Sequence, residues 1–204
     1  MKNIIFDFGK VLIHYEPKKM IADFTDSADA IEEIAPVLFD RLYWDRLDLG
    51  TIEDDELLDS VCKRLPEKYH KIAREAYRRW FARCPLIDGM EELVCELKEK
   101  GYSLFLLSNI SKELAVEYHE VPHLERLFSN FDGLVFSGAV GVVKPEPAIY
   151  LHLLSKYNIK AKETIFIDDS QKNLDGGAAC GINPVFFDGN VSNLRSTLKK
   201  LSIL

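Results

Sequence analysis

Five short, continuous runs of aliphatic, β-branched and aromatic residues constrain the fold of this chain most strongly. None of them alternates between apolar and polar residues, which is typical of strands that are covered on both faces of a parallel sheet. The predicted strands are Asn3–Phe6, Ser103–Leu107, Gly133–Phe136, Thr164–Ile167 and Pro184–Phe187. Amphipathic or short helical patterns separate the later runs; they are Met90–Lys100, Pro147–Tyr157 and Asn173–Cys180. The alternation predicts an α/β fold with a doubly wound, Rossmann-like parallel sheet of five or more strands.

The stretch from residue 15 to residue 85 breaks this alternation, because it contains helical patterns and no convincing strand. The predicted helices are Ile31–Phe39, Thr51–Leu65 and Glu67–Phe81. Thr51 is predicted to be the N-cap of its helix, with Asp54 as the acidic partner of a capping box. We therefore expect an all-helical cap at 15–85, inserted into an α/β core made of 1–14 and 86–204.

Charge and composition restrict the kinds of molecule that this chain is expected to bind. The 204 residues carry a formal net charge of −7, which disfavours nonspecific binding to nucleic acid. No apolar stretch approaches the roughly 20 residues of a membrane span, and no signal peptide is evident. The cysteines, Cys62, Cys84, Cys95 and Cys180, form no C-x-x-C pair and are predicted to be reduced thiols. We expect a cytoplasmic protein, monomeric or homodimeric, that binds a small molecule rather than nucleic acid or membrane.

Acidic residues follow two of the predicted strands. Asp7 comes directly after the first strand, and Asp168 and Asp169 follow the strand Thr164–Ile167. Open α/β sheets bind ligands at the carboxyl ends of their strands, so these acids are expected to share one site. Adjacent carboxylates repel each other unless a cation relieves the repulsion, and Mg²⁺ prefers such oxygen ligands. Asp7 is then a candidate covalent nucleophile, although a helix-capping role is the simpler alternative for this residue alone.

Two further segments carry groups suited to an anion. Ser108 and Asn109 follow the strand Ser103–Leu107, and a hydroxyl with an exposed amide there suits phosphoryl oxygens. Taken alone, the pair is better explained as a cap of the next helix. Lys144 lies just before a predicted helix, beside Pro145 and Pro147, where a fixed cation and a helix N-terminus both favour an anion.

Taken together, these segments resemble the haloacid dehalogenase (HAD) superfamily. Its four motifs occur in order, each at the end of a predicted strand; they include Phe6-Asp7-Phe8-Gly9, Leu106-Leu107-Ser108-Asn109, Lys144-Pro145-Glu146 and Ile167-Asp168-Asp169-Ser170. The resemblance implies that Asp7 forms a phosphoaspartyl intermediate and that Ser108, Asn109 and Lys144 bind the phosphoryl group. It also implies Mg²⁺ as the cofactor, with Asp7, the Gly9 carbonyl, Asp169 and Asp168 as its ligands.

Position 9 departs from the pattern of most HAD phosphatases, which carry a second Asp there as general acid–base. Gly9 has no side chain, and general acid–base catalysis contributes roughly 10²–10⁴-fold in rate. A branch that includes bacterial α-D-glucose 1-phosphate phosphatase shares the Asp-x-Gly-x-Val pattern. An anomeric leaving group is less basic than an ordinary alcohol, so its departure depends less on a proton donor. His14, near the predicted cap hinge, is one candidate replacement, and Lys10 one further candidate for phosphate contact.

The resemblance therefore predicts a Mg²⁺-dependent phosphatase that hydrolyses a small phosphorylated metabolite, with a sugar phosphate as the expected substrate. A polar–aromatic cluster in the cap is a candidate sugar-binding surface; it comprises Tyr43, Trp44, Asp45 and Arg46. Packing of the aromatic residues between cap and core, with the charged residues in solvent, is an equally good interpretation. Two alternatives remain: a non-catalytic member that binds a phosphorylated ligand, suggested by Gly9, and a 2-haloacid dehalogenase, against which the pair Asp168-Asp169 argues.

Overall fold

A computed structural model describes all 204 residues and shows one parallel five-stranded sheet. The strands are β1 (Asn3–Phe6), β2 (Ser103–Ser108), β3 (Gly133–Phe136), β4 (Thr164–Asp168) and β5 (Asn183–Phe186). Their order in the sheet is β3-β2-β1-β4-β5, and every neighbouring pair is parallel. The predicted fold class is confirmed, and each strand ends within one residue of its predicted position.

Twelve α-helices surround and extend this sheet. The first five are α1 (Pro17–Ala22), α2 (Ala28–Leu38), α3 (Arg41–Asp48), α4 (Asp54–Arg64) and α5 (His70–Arg83). The remaining seven are α6 (Met90–Glu99), α7 (Leu114–Glu117), α8 (Pro122–Phe128), α9 (Ser137–Val140), α10 (Pro147–Lys156), α11 (Gln171–Ala179) and α12 (Val191–Lys200). Single 3₁₀ turns are at Glu67–Tyr69, Tyr118–Glu120 and Ala161–Glu163. None of these helices combines the length and the apolar composition that a membrane-spanning helix needs.

Both faces of the sheet are covered, as the continuous apolar runs predict. Ile4 and Phe6 of β1 point into the larger core cluster, whereas Ile5 points to the other face and packs in a cluster with residues of α10 and α11. Successive residues of a strand point to opposite faces, so a strand buried on both sides must be apolar throughout. The larger cluster also contains buried residues of α1 to α5, so apolar packing is continuous between the inserted helices and the sheet.

Helices α1 to α5 occupy all of the chain between β1 and α6, and no strand of the sheet lies among them. The chain leaves and re-enters this segment side by side: the His14 amide donates to the Pro85 carbonyl, and the Ile87 amide donates to the Leu12 carbonyl. The division into a core and a cap that separates at 14 and 86 stays a prediction.

The predicted capping box at Thr51 is wrong. Helix α4 begins at Asp54 with Glu53 as its N-cap residue. The Thr51 hydroxyl instead donates to the Arg46 carbonyl of α3 at 3.1 Å, where it satisfies one of the free carbonyls at the end of that helix. The four cysteines are all free, and Cys62 and Cys84 are buried.

The strand order places a switch point beside β1. The chain runs from β1 to β2 on one side, and β4 returns to the other side of β1 before continuing to β5. Connections leave β1 and β4 in opposite directions there, which opens a crevice at the carboxyl ends of these strands. The Asp7 amide donates to the Ile167 carbonyl at 2.9 Å, and this bond holds the two strand ends together where the acidic residues emerge.

Candidate active site

A cavity of about 370 Å³ opens at the carboxyl ends of the central strands. Six of the predicted site residues line it; they are Asp7, Gly9, Ser108, Asn109, Lys144 and Asp169. They come from four separate segments, each of which directly follows or ends a strand or precedes a helix. Residues up to 162 positions apart in sequence, Asp7 and Asp169, therefore meet at one surface because all the strands run parallel.

The centre of the site is a buried lysine between two acids. The Lys144 ammonium group donates to Asp7 Oδ1 at 2.6 Å and to Asp168 Oδ2 at 2.9 Å. Burial by itself lowers the pKa of Lys144, but the two carboxylates outweigh it and raise the pKa above its ordinary value. Lys144 is therefore a fixed positive charge and not a proton donor near neutral pH.

The surroundings of Asp7 have opposing effects on its pKa. Burial raises its pKa, the ammonium group of Lys144 lowers it, and the carboxylate of Asp168 raises it again. The net direction is upward. Any further positive charge at the site would favour the ionised, nucleophilic form of Asp7.

The two adjacent acids at the end of β4, Asp168 and Asp169, have different surroundings. Asp168 is fully buried, and its oxygens accept hydrogen bonds from Lys144, the Ser170 amide and Asn173. Asp169 is half-buried and lines the cavity; burial and the neighbouring Asp168 carboxylate raise its pKa. Asp169 thus faces the cavity, while Asp168 anchors Lys144 from behind.

Asn109 has a contact that the sequence did not predict. Its side-chain oxygen accepts from the Lys144 amide at 2.7 Å, and its side-chain nitrogen donates to the Lys144 carbonyl at 2.9 Å. This pair of bonds fixes the backbone of Lys144 against the end of β2. Ser108, 3% exposed, lies at the cavity wall beside it.

The acidic cluster has the composition of a divalent-cation site. One carboxylate oxygen from each of Asp7, Asp168 and Asp169 lies within 4.8 Å of the others. With all three ionised, Lys144 compensates one of three negative charges and leaves two. No backbone amide donates to the Gly9 carbonyl, which borders the same cavity. Carboxylate and carbonyl oxygens with two uncompensated charges fit a hard divalent cation such as Mg²⁺.

Helix α3 supplies a wall of the cavity, and the sequence analysis missed two of its lining residues, Arg41 and Asp48. Arg41, Trp44 and Asp48 line it, at the spacing i, i+3, i+7 that places side chains on one face of a helix. That spacing was the available signal. The predicted cluster of four consecutive residues is corrected accordingly: Trp44 lines the cavity, but Tyr43, Asp45 and Arg46 do not, because adjacent helical residues point in different directions.

Aromatic rings complete the wall. Tyr15 lies edge-on to Trp80 and to Trp44, with ring centroids 5.9 and 6.4 Å apart, and the two tryptophans are 5.4 Å apart. All three line the cavity. His14 is exposed and lies at a different surface cavity, together with Glu16 and Lys19. The hypothesis that His14 replaces the missing acid is therefore wrong. Lys10 is exposed at the rim of the site, where its charge lowers the pKa of Asp169.

The comparison with protein families decides the family. The family model of the haloacid dehalogenase-like hydrolases matches residues 1–181 of the sequence. The chain belongs to this family. It is 28% identical over 182 residues to the sesquiterpene phosphatase astK of Aspergillus oryzae, which covers 89% of this chain and 87% of that protein. It is 26% identical over 192 residues to the D-ribitol-5-phosphate phosphatase of Bacteroides thetaiotaomicron, which covers 89% of each.

Solved structures of HAD proteins share the fold. A HAD family enzyme of Bacteroides thetaiotaomicron, in complex with magnesium and inorganic phosphate, has a TM-score of 0.70 at 24% identity over 95% of this chain and 98% of that one. The L-2-haloacid dehalogenase of Xanthobacter autotrophicus has a TM-score of 0.65 at 16% identity over 91% of this chain and 77% of that one. Because the fold is common to a phosphate-binding enzyme and a dehalogenase, the chemistry must be argued from the site.

One buried acid of this HAD protein lies outside the four motifs. Asp48 is only 5% exposed, and its Oδ1 has no hydrogen-bond partner. Burial raises its pKa to about 7; Arg41 and Lys144 oppose the rise, and Asp45 and Asp7 add to it. Asp48 is therefore close to half-protonated at neutral pH.

The raised pKa of Asp48 predicts a specific dependence of stability on pH. Its usual value is 3.8, so the stability that its protonated form contributes is fully present below about pH 4 and is lost as the pH rises towards 7. Asp48→Asn lacks this loss. The free energy of unfolding of the variant, minus that of the wild type, should rise by roughly 2 kcal/mol between about pH 5 and about pH 8. Urea unfolding at both pH values measures this; a difference that does not change with pH would contradict it.

Proposed function

We propose that this HAD protein is a Mg²⁺-dependent phosphatase that hydrolyses a small sugar or sugar-alcohol phosphate through a phosphoaspartyl intermediate on Asp7. The observation that carries the proposal is the arrangement around one cavity: a buried lysine bonded to Asp7, a second acid at Asp169 and a hydroxyl at Ser108. These are the groups that attack on phosphorus requires, namely an ionised nucleophile and fixed charge for the phosphoryl oxygens.

Asp7 is the nucleophile in this proposal. Lys144, 2.6 Å from one of its oxygens, favours the ionised carboxylate against the effect of burial. The carboxylate attacks phosphorus while the bond to the leaving oxygen breaks, which yields a mixed anhydride on Asp7. Water then attacks phosphorus, the Asp7–phosphorus bond breaks, and phosphate is released.

Positive and polar groups at the cavity wall bind the transferred phosphoryl group. The Ser108 hydroxyl and the backbone N–H of Asn109 provide hydrogen-bond donors at the end of β2. Lys144 provides the charge, held in place by the two side-chain bonds of Asn109 to its backbone. Donors fixed before the reaction lower the barrier more than mobile ones, because they need no reorganisation as charge develops.

Asp7, Asp169 and the Gly9 carbonyl would hold Mg²⁺, and Asp168 would contribute directly or through water. When bound, Mg²⁺ supplies charge neutralisation for the phosphoryl oxygens and for the clustered carboxylates. Asp168 is the least available of the three acids, because its oxygens already accept from Lys144, Ser170 and Asn173. Its main contribution in this proposal is to position Lys144.

The cavity favours a compact, partly polar substrate. Its volume of about 370 Å³ suits a small metabolite. Arg41 and Asp48 offer hydrogen-bonding groups, and Trp44 with Trp80 offer aromatic faces, which together suit the hydroxyls and the C–H faces of a sugar. The curated relatives named above act on a sesquiterpene compound and on D-ribitol 5-phosphate, so a prenyl phosphate belongs in the test panel beside sugar phosphates.

Two alternatives lead to different results. A 2-haloacid dehalogenase needs no metal, whereas the two uncompensated negative charges of the acidic cluster call for one. A non-catalytic member that binds a phosphorylated ligand is suggested by Gly9, which removes the usual general acid–base. Phosphate release from a panel containing ribitol 5-phosphate, glucose 1-phosphate, phosphoglycolate and a prenyl phosphate tests the proposal. Binding without release would favour the non-catalytic alternative, and halide release from 2-chloropropionate in metal-free buffer would favour the dehalogenase.

Removal of divalent metal should lower phosphatase activity roughly 100-fold, because the charge that it places on the phosphoryl oxygens contributes several kcal/mol. Phosphatase activity is measured after dialysis against a chelator, and again after addition of Mg²⁺ or of Ca²⁺. Ca²⁺ has the larger radius and fits the site differently. Mg²⁺ should restore the rate and also raise the melting temperature of the apo protein. Full activity after chelation would contradict the proposed cofactor.

A further inference from the structure

The missing side chain at position 9 poses a chemical problem within the proposed phosphatase function. An alkoxide is a poor leaving group, so a proton donor must lie at the cavity. The titratable residues that line it are Asp7, Lys10, Tyr15, Arg41, Asp48, Lys144, Asp169 and Lys172.

Burial raises the pKa of Tyr15 far above neutrality, and the neighbouring carboxylates do the same for Lys144. Lys10 and Lys172 are exposed, and arginine stays charged. Asp7 and Asp169 are assigned to other roles, which leaves Asp48.

Asp48 has the environment of a reactive acid and not of a structural one. A buried carboxylate oxygen almost always accepts a hydrogen bond, yet Asp48 Oδ1 has none. The side chain lies on the face of α3 that lines the cavity, with Arg41 and Trp44. A carboxyl group that lines a substrate cavity and has one oxygen without a protein partner is available for hydrogen bonding to a substrate.

The backbone around Asp48 is held firmly against the α/β core. Its carbonyl accepts from the Ser137 hydroxyl at 2.5 Å. Two residues later, Gly50 has a φ of +71°, and a Cβ there would lie 2.5 Å from the Gly138 carbonyl oxygen. The end of α3 therefore touches the start of α9 without intervening side chains. This contact places Asp48 over the nucleophile's cavity with little freedom to move.

We infer that Asp48 is the general acid–base of this enzyme and takes the role that Gly9 cannot fill. As Asp7 attacks phosphorus, the protonated Asp48 carboxyl donates its proton to the departing alkoxide oxygen, and the alcohol leaves. The resulting Asp48 carboxylate accepts a proton from the water that attacks the phosphoaspartate, so the released phosphate and the reprotonated Asp48 complete the cycle.

The charges around Asp48 suit both halves of this cycle. Arg41 on the same helix and Lys144 on the core stabilise the carboxylate, whereas Asp45 and Asp7 disfavour it, and Tyr15 lies close enough for its own pKa to be raised by Asp48. With burial included, the pKa of Asp48 is about 7. A group that titrates near the working pH can donate in one step and accept in the next.

The test compares two phosphate esters in Asp48→Asn. Asn is isosteric and neutral, and burial already favours the neutral form of Asp48, so the variant is expected to fold. The alcohol leaving group of ribitol 5-phosphate needs a proton, whereas p-nitrophenolate does not. The first-turnover rate with ribitol 5-phosphate should fall roughly 10²–10³-fold. With p-nitrophenyl phosphate the first turnover should keep its rate and release one equivalent of product per site. Slow hydrolysis then follows, so phosphoryl-Asp7 accumulates and is visible by intact-protein mass spectrometry.

A rescue strengthens the test. A Cβ at Gly9 would meet no atom within 4 Å, so a side chain can be introduced there without a clash at Cβ. Gly9→Asp in the Asp48→Asn background should restore most of the lost rate with ribitol 5-phosphate. Asp59→Asn, which changes an exposed acid on α4 paired with Arg74, is the matched control and should leave both esters unaffected.

Equal loss of rate for both esters in the first turnover, or a rise in KM alone, would overturn the assignment and make Asp48 a binding group. The proposed function is judged separately by Asp7→Asn. If that variant turns over either ester at the wild-type rate, the phosphatase mechanism itself fails. If it is inactive while Asp48→Asn treats the two esters alike, only the assignment of Asp48 fails.

Discussion

Asp7→Asn should lower the rate of phosphate release on the order of 10⁵-fold, to a level close to background. An amide oxygen is a far weaker nucleophile than a carboxylate, and the side chain keeps its size. Burial raises the pKa of Asp7, which means that the fold itself disfavours the charge. The variant should therefore unfold at the same or a slightly higher urea concentration than the wild type. The rate is measured with p-nitrophenyl phosphate and with ribitol 5-phosphate.

A second measurement separates loss of the nucleophile from loss of substrate binding. Wild-type protein incubated with Mg²⁺ and fluoroberyllate should gain a beryllium fluoride adduct at Asp7, and Asp7→Asn should not. Asp59→Asn is the control for the chemical change, since it also replaces a carboxylate with an amide but lies at an exposed position of the inserted helices. Substantial turnover by Asp7→Asn, or adduct formation without Asp7, would disprove covalent catalysis at this residue.

The sheet was predictable because its strands are buried on both faces. A strand such as Thr164–Asp168 has no polar side to blur its boundaries, and the acid that follows marks the carboxyl end. Helix starts were less predictable, as Thr51 shows. Its sequence context suits an N-cap, but the end of α3 lies close enough for the Arg46 carbonyl to take its hydroxyl instead. Local propensity cannot reveal such competition between two neighbouring helix ends.

The site residues that follow strands were predictable for the same reason. In a parallel sheet, residues after different strands meet at one edge, so Asp7, Ser108 and Asp169 could be placed together before any contact was known. Lys144 was identifiable as a charge near a helix start. Its burial between two acids was not, because an isolated lysine is usually exposed.

The residues contributed by the inserted helices were not predictable in their role. Arg41 and Asp48 look like surface charges of an amphipathic helix, which is the common outcome for such residues. Only the position of α3 against α9, fixed by the close contact of Gly50 with Gly138, brings Asp48 to the cavity. The pairing of two segments far apart in sequence decides this, and no local pattern records it.

Lys144→Met should destabilise the metal-free protein by roughly 3–5 kcal/mol, because it leaves Asp7 and Asp168 buried and close together without a counter-charge. Met fills a similar volume, so the loss reflects charge more than packing. The rate should also fall roughly 10³-fold, as expected when a fixed charge on the phosphoryl oxygens is removed. Urea unfolding and steady-state kinetics measure the two effects.

The response of Lys144→Met to Mg²⁺ connects the stability of this site to its chemistry. The variant leaves three negative charges in the acidic cluster where the wild type leaves two, so bound Mg²⁺ should raise its melting temperature more than that of the wild type. Lys2→Met, which breaks an exposed ion pair with Glu163, is the matched control and should change stability by less than about 1 kcal/mol in either buffer. If Mg²⁺ stabilises Lys144→Met no more than Lys2→Met, then Asp7, Asp168 and Asp169 do not share a cation, and the proposed magnesium site is wrong.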